Sequence, residues 1–195
     1  MTGPFNRERM QNIPNILTLC RIGVIPILVI LLAFPNPATR AVAALLFILA
    51  STTDYFDGYL ARRYNVISPV GKLLDPMADK LLVMAALIML VACREGAVPA
   101  WMVVVILGRE IVVTSLRGMG SSRGIVIQAE ELGKYKTTLQ IFAISGLLLN
   151  YPYFSIDFHL GGMYFLWASL VLSIWSAISY FGKFWPQAVE TGGEP

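Results

Sequence analysis

Between Asp54 and Asp79 the chain carries four aspartates beside long apolar runs that cannot hydrate them. The stretch reads Asp54-Tyr-Phe-Asp57-Gly58-Tyr-Leu-Ala61-Arg62, then eight residues, then Gly71, with Asp75 and Asp79 spaced four apart after it. In a helix Asp54, Asp57 and Ala61 fall on one face with Gly58 beside them, and Gly71, Asp75 and Asp79 share a face of a second helix. Two helices joined by a short polar link return antiparallel, so the two acidic faces can meet. Whatever the chain folds into must gather these charges and give a reason for gathering them.

Composition decides the surroundings. With 195 residues, 56% hydrophobic and 14% charged, the chain is too apolar for a soluble domain and has the size of one membrane bundle. The net charge of +3 does not indicate nucleic acid, because the basic residues sit at the ends of apolar runs rather than in a solvated patch. Two cysteines, Cys20 and Cys93, lie within apolar segments, and His159 is the one histidine. A disulfide framework, a zinc site and a Cys/His nucleophile are therefore set aside. A bound metal would have to be a hard one held by oxygens.

The expected fold is an all-α integral membrane protein, a six-helix transmembrane bundle in one domain over residues 14–183. A juxtamembrane segment, 1–13, precedes it as a short interfacial helix, with Phe5, Met10 and Ile13 interleaved among Arg7, Glu8 and Arg9, and a polar tail, 184–195, follows. Pro14 can open the first span, about Asn15 to Phe34, which is too long for a signal-peptide core and is read as retained. Asn15, Thr18 and Arg21 share one sector of it and are expected to line the site, since a polar stripe on a spanning helix faces the bundle interior or a cavity.

Pro35-Asn36-Pro37 ends that helix, and the second runs from about Ala38 into the acidic motif. The third begins near Ser68-Pro69, a capping pair, and reaches Cys93, with Pro76 expected to kink it near Asp75. The fourth spans about Val98 to Gly118 and carries Arg109 and Glu110. A link from Gly118 to Leu132 contains Glu130 and Glu131, which are expected to cap or solvate it. The fifth span covers Gly133 to Asn150, with the shortest apolar core, and the sixth about Leu160 to Phe181. Trp101, Tyr151, Tyr153, Phe154, Trp167, Trp175 and Trp185 read as interfacial belts and packing. His159 reads as a surface residue.

Charge then gives orientation. Arg7 and Arg9, then Arg62, Arg63 and Lys72, then Arg117, Arg123, Lys134 and Lys136, then Lys183 all belong to one set of connections; the opposite set holds Arg40 and Arg94. Lys and Arg stay inside, which places both termini and the acidic motif in the cytoplasm.

Four converging carboxylates cannot all stay ionised without cations, because like charges and desolvation both raise their pKa values. Divalent cations remove the difficulty, and with oxygen donors alone Mg2+ or Mn2+ fits best. Two ions about 3.5–4 Å apart clamp the attacking and leaving oxygens of a phosphoryl displacement. Gly58, Ala61 and Gly71 then mark places where a bulky ligand approaches the backbone. A buried ion network with Arg62, Arg63, Lys72 and Lys80 is the bland alternative, but it has no need of small residues at helical spacing. A proton or cation transporter is a stronger rival, though it would spread its acids along the membrane depth.

The pattern Asp54-x-x-Asp57-Gly58-x-x-Ala61-Arg62, eight residues, Gly71-x-x-x-Asp75-x-x-x-Asp79 resembles the complete signature of the CDP-alcohol phosphotransferase family, with all eight fixed positions present. That resemblance implies a six-helix membrane fold, a homodimer, a cytoplasm-facing site, and transfer of a substituted phosphate from a CDP-linked donor to an alcohol with release of CMP. Carried over by position, it makes Asp54, Asp57 and Asp75 metal ligands. Asp79 would complete the metal site and act as general base. Gly58, Ala61, Arg62 and Gly71 would hold the cytidine diphosphate. No covalent nucleophile stands out, so direct displacement is expected.

Asn12-Ile-Pro-Asn15-x-Leu-Thr18-x-x-Arg21, Gly108-Arg109-Glu110, Arg117 and Gly133-Lys134-x-Lys136-Thr137 are similar to members of that family that take CDP-diacylglycerol as donor and sn-glycerol 3-phosphate as acceptor. The likeness fades in the sixth span. Independently, Arg109 lies roughly 12 Å deeper than Arg117 along its helix, too deep to reach the surface easily, and a charge at that depth points to a site. Arg109, Arg117, Lys134 and Lys136 can together enclose a phosphate. The alternatives are local pairing of Arg109 with Glu110, and, for the acceptor, inositol phosphate or phosphatidylglycerol.

Overall fold

The computed structural model describes residues 4–64, 69–93, 96, 98–122, 132–151 and 157–191; within the helices, the side chains of 4–17, 54–64, 69–73, 75, 76, 121, 122, 132–134 and 187–191 also lie outside the description. The described residues form α1 (Pro4–Ala33), α2 (Pro37–Tyr64), α3 (Pro69–Ala92), α4 (Ala100–Ser122), α5 (Leu132–Leu149) and α6 (Phe158–Thr191), with no strand among them. The expected six helices are present. Ser68, and residues 123–131 with Glu130 and Glu131, lie outside the described residues.

Local chemistry fixes several ends. Pro37 is the first residue of α2, and Asn36 and Thr39 cap it reciprocally: the Asn36 N–H donates to Thr39 Oγ1 and the Thr39 N–H to Asn36 Oδ1, both at 2.9 Å. Asp157 caps α6, its Oδ1 accepting the Leu160 N–H at 2.9 Å. Asn150, just past α5, takes the left-handed conformation, φ 50°.

Two boundaries differ from expectation. Helix α1 is unbroken from Pro4, so Pro14 lies in its interior rather than opening it; the missing N–H removes one backbone bond, and the turns on either side continue the helix. Helix α6 runs to Thr191, ten residues past Phe181, so 184–191 prolong the helix, and Phe184 is buried.

The larger of two buried clusters includes Leu28 and Leu32 of α1, Ala43, Ala44 and Phe47 of α2, Leu82, Leu87 and Leu90 of α3, Met102 and Ile106 of α4, Ala143, Ile144 and Leu147 of α5, and Leu166 of α6, and a smaller one joins Val113 of α4 to Tyr180 and Phe184 of α6. Helix α5 packs most extensively on α6, and α1 lies against α2 and α3. The α5–α6 contact is a close approach of glycines. A Cβ on Gly146 would fall 2.9 Å from the Phe158 carbonyl oxygen, and one on Gly162 would fall 2.8 Å from the Leu147 nitrogen. Small residues of this kind let helix backbones meet where packing, not water, drives association.

The outward surface is apolar on every helix. Ile30, Leu45, Ile88, Val104, Phe142 and Trp175, one from each, are all more than half exposed, a coat that suits hydrocarbon rather than water. Among the described residues, Phe158–Pro186 is long and apolar enough to cross a membrane, and Thr18–Ala33 and Pro37–Thr53 are shorter apolar segments.

Candidate active site at one end of the bundle

The backbone brings the two helix ends that carry the acidic motif together. Asp54, Asp57, Gly58, Ala61 and Arg62 lie on the last turns of α2, Gly71, Asp75 and Asp79 on the first turns of α3, and these helices touch. Asp79 is half-buried. The side chains of Asp54, Asp57, Gly58, Ala61, Arg62, Gly71 and Asp75 lie outside the described residues, as do those of Asn15 and Lys134. Among the described residues no three potential metal-ligating side chains come together.

Contacts between helices set which end is which. Lys80, directly after Asp79, donates to Thr114 Oγ1 on α4. Arg109, between one and two turns before Thr114, reaches α6, and Lys136 reaches Glu110 from the start of α5. The C-terminal turns of α2, α4 and α6 therefore share one end with the N-terminal turns of α3 and α5. The acidic motif and the expected basic pocket are at that end together.

The basic residues form a three-helix ion group. Arg109 Nη1 donates to Glu110 Oε1 at 2.8 Å, and Lys136 Nζ donates to the same oxygen. The remaining nitrogens of Arg109 are anchored on α6: Nε donates to the Ser173 carbonyl oxygen at 3.1 Å and Nη2 to Ser176 Oγ at 2.8 Å. Only 9% of the Arg109 side chain and 6% of that of Lys136 is exposed, against 19% for Glu110. Local pairing of Arg109 with Glu110, the bland alternative, is thus present, but it extends across α5 and α6. Arg117 stands apart from this group, its guanidinium 5.7 Å from the centre of the Tyr180 ring, which stacks on Phe184.

Two residues of the first-helix stripe are also inside. Thr18 and Arg21 are buried, and Arg21 Nε donates to the Ala50 carbonyl oxygen at 3.4 Å, one turn before Asp54. A cleft of about 170 Å3 lined by Cys20, Arg21, Val24, Leu46, Leu49, Ala50 and Thr53 opens beside it.

Several residues of this end were not singled out from sequence. Ser169, Ser173 and Ser176 line one side of α6 at positions i, i+4 and i+7, a legible stripe on a helix otherwise apolar at this depth. Gln140 sits one turn from Lys136 and is equally buried; its Nε2 and Ser173 Oγ are enclosed without a hydrogen-bond partner among the described residues.

Residues 11–175 match the family model described as CDP-alcohol phosphatidyltransferase. The chain is 44% identical over 195 aligned residues, 93% of this chain and 99% of the relative, to the CDP-diacylglycerol–glycerol-3-phosphate 3-phosphatidyltransferase of Bacillus subtilis (strain 168). It is 41% identical over 172 residues, 88% of this chain and 94% of the relative, to the protein of that name from Rickettsia bellii (strain RML369-C). To the CDP-diacylglycerol–glycerol-3-phosphate 3-phosphatidyltransferase 2 of Arabidopsis thaliana it is 37% identical over 191 residues, covering 91% of this chain and 82% of the relative.

Proposed function

Because the chain belongs to the CDP-alcohol phosphatidyltransferase family, we propose that it transfers the phosphatidyl group of CDP-diacylglycerol to sn-glycerol 3-phosphate, giving phosphatidylglycerol phosphate and CMP. What supports this reading is that the helix ends bearing the acidic motif, on α2 and α3, lie at the same end of the bundle as the buried Arg109 and Lys136 of α4 and α5. A donor rich in phosphate and an acceptor bearing one can meet between them.

The donor's cytidine diphosphate lies along Gly58, Ala61, Arg62 and Gly71, where small residues leave room against the backbone. Asp54, Asp57, Asp75 and Asp79 suit two hard divalent cations, Mg2+ or Mn2+, because they supply oxygen donors alone from the successive ends of α2 and α3. Bound there, such ions would neutralise the diphosphate and stabilise the departing CMP. Asp79 takes the proton of the acceptor hydroxyl as the new phosphate ester forms. Arg109, Arg117, Lys134 and Lys136 hold the acceptor's phosphate, and Asn15, Thr18 and Arg21 line the cavity on the α1 side. With no covalent intermediate, both substrates are bound together.

The six helices cross the bacterial cytoplasmic membrane with the site and both termini in the cytoplasm, and the working unit is a homodimer. The donor's acyl chains then stay in the bilayer while its nucleotide meets a water-soluble acceptor. Purified protein incubated with Mg2+, CDP-diacylglycerol and each acceptor in turn tests the assignment: CMP is expected with glycerol 3-phosphate. Release with inositol phosphate or phosphatidylglycerol instead would move the acceptor assignment, and no release with any acceptor would remove the reaction.

A further inference from the structure

Glu110 has no part in the reaction as derived above, yet it holds Arg109 and Lys136, two deeply enclosed cations of the pocket. Its Oε1 accepts from both Arg109 and Lys136, which come from different helices. Arg109 is not free to turn elsewhere, since Nε and Nη2 are fixed on Ser173 and Ser176 of α6. The guanidinium edge it can offer to a ligand is therefore its Nη1–Nη2 end, where the Glu110 carboxylate already takes one of the Nη1 hydrogens. A carboxylate oxygen and a phosphate oxygen accept the same hydrogens from these groups, and as like charges they repel at close range. Counting Arg109 and Lys136 as +1 each and Glu110 as −1, the group keeps a net charge of +1 when no ligand is bound.

We propose that Glu110 is a built-in competing anion for the acceptor's phosphate group, holding Arg109 and Lys136 in the empty site and returning to them as the phosphorylated product leaves. This rests on the reading that Arg109 and Lys136 take that phosphate. The product carries the same phosphate as the acceptor, so a pocket that gripped it without competition would bind substrate and product alike, lowering KM with no gain in turnover. A tethered carboxylate weakens both and limits occupation by inorganic phosphate. Glu110 is in this sense a positioning and specificity residue rather than a catalytic one.

A structural role lacks one signature: the displaced carboxylate stays tethered beside the site and still repels the bound anion, so removing its charge tightens a dianion more than a monoanion, up to twice as much in binding energy. Glu110→Gln and Glu110→Asp variants of the full chain are assayed for the acceptor KM and kcat, with inorganic phosphate at a pH where it is a dianion and dimethyl phosphate, a monoanion, as inhibitors. Protection of the protein against heat by the same two anions, without CDP-diacylglycerol, is read in parallel. In E110Q the acceptor KM falls and kcat does not rise. Inhibition tightens about threefold for dimethyl phosphate and about tenfold, near the square, for phosphate. E110D, whose carboxylate is one methylene short of Lys136, falls between wild type and E110Q. A higher acceptor KM or unchanged phosphate inhibition in E110Q would overturn the proposal. If only E110D can be purified, phosphate inhibition no tighter than wild type does the same. Wild-type protein that releases no CMP with glycerol 3-phosphate would count against the assigned reaction, whereas the anion shifts read in the heat assay judge Glu110 alone.

Discussion

Gly146 of α5 and Gly162 of α6 face each other so closely that a Cβ on the first would sit 3.1 Å from the Cα of the second. The contact fixes the height of Lys136 against Ser169 two to three turns away, where the Ser169 hydroxyl donates to the Lys136 carbonyl oxygen. Gly162→Ala forces a methyl against the Leu147 nitrogen and the Ala143 carbonyl oxygen, at 2.8 and 3.0 Å. Backbone cannot yield as a side chain can, so a loss of about 1–3 kcal/mol is expected. Gly161→Ala, whose Cβ meets nothing within 4 Å, serves as the neighbour that leaves stability unchanged. Thermal unfolding of the two variants in the same detergent checks the contrast.

Asp79→Asn replaces a proton acceptor with an amide that cannot serve as one. Turnover is expected to fall by about a hundredfold or more, with the helical circular dichroism unchanged. Substantial remaining activity would take Asp79 out of the base role.

Arg109→Lys keeps the charge but not the planar fork that reaches Ser173, Ser176 and Glu110 at once. The acceptor KM should rise about tenfold or more, as expected when charged hydrogen bonds of about 1.5–3 kcal/mol are lost, while the KM for CDP-diacylglycerol moves little. Equal effects on both substrates would count against an acceptor pocket at Arg109.

How far these residues could be read from sequence depends on whether their meaning is local. Pro35-Asn36-Pro37 announced the break between α1 and α2 because prolines act within one turn. The helical spacing of Asp54 to Asp79 was legible for the same reason, and the depth of Arg109 followed from counting residues to Arg117. What Arg109 does with its charge was not legible in full, because its partners are 64 and 67 residues away on α6. The neighbouring glutamate could be guessed as a partner; its sharing with Lys136, 26 residues on, could not. Pro14 misled for an opposite reason: proline favours a helix start but does not forbid an interior position, and α1 passes through it.

Removing divalent cations with a chelator is expected to abolish CMP release and leave the helices intact. The core is hydrophobic and shared by all six helices, so it does not depend on ions at one end. Activity returning on addition of Mg2+ or Mn2+ supports the assignment to the four aspartates. Activity that survives chelation would sink it.

Single cysteines test the orientation. In a background lacking Cys20 and Cys93, a cysteine at Asp157, an exposed residue at the end opposite the acidic motif, should react with an impermeant maleimide in intact cells. One at Lys183, exposed near the C-terminus, should react only after permeabilisation. The reverse pattern would invert the bundle.

At the end away from the motif, Gly96 and Asn150 both adopt left-handed backbone, with φ 66° and 50°. The Asn150 Oδ1 lies 1.7 Å from where a Cβ on Gly96 would be, so the two side chains compete for one volume. The positions are therefore one unit of inheritance. In a set of related chains, a side chain at 96 should be accompanied by a smaller residue at 150, and a glycine at 96 should be what permits asparagine there.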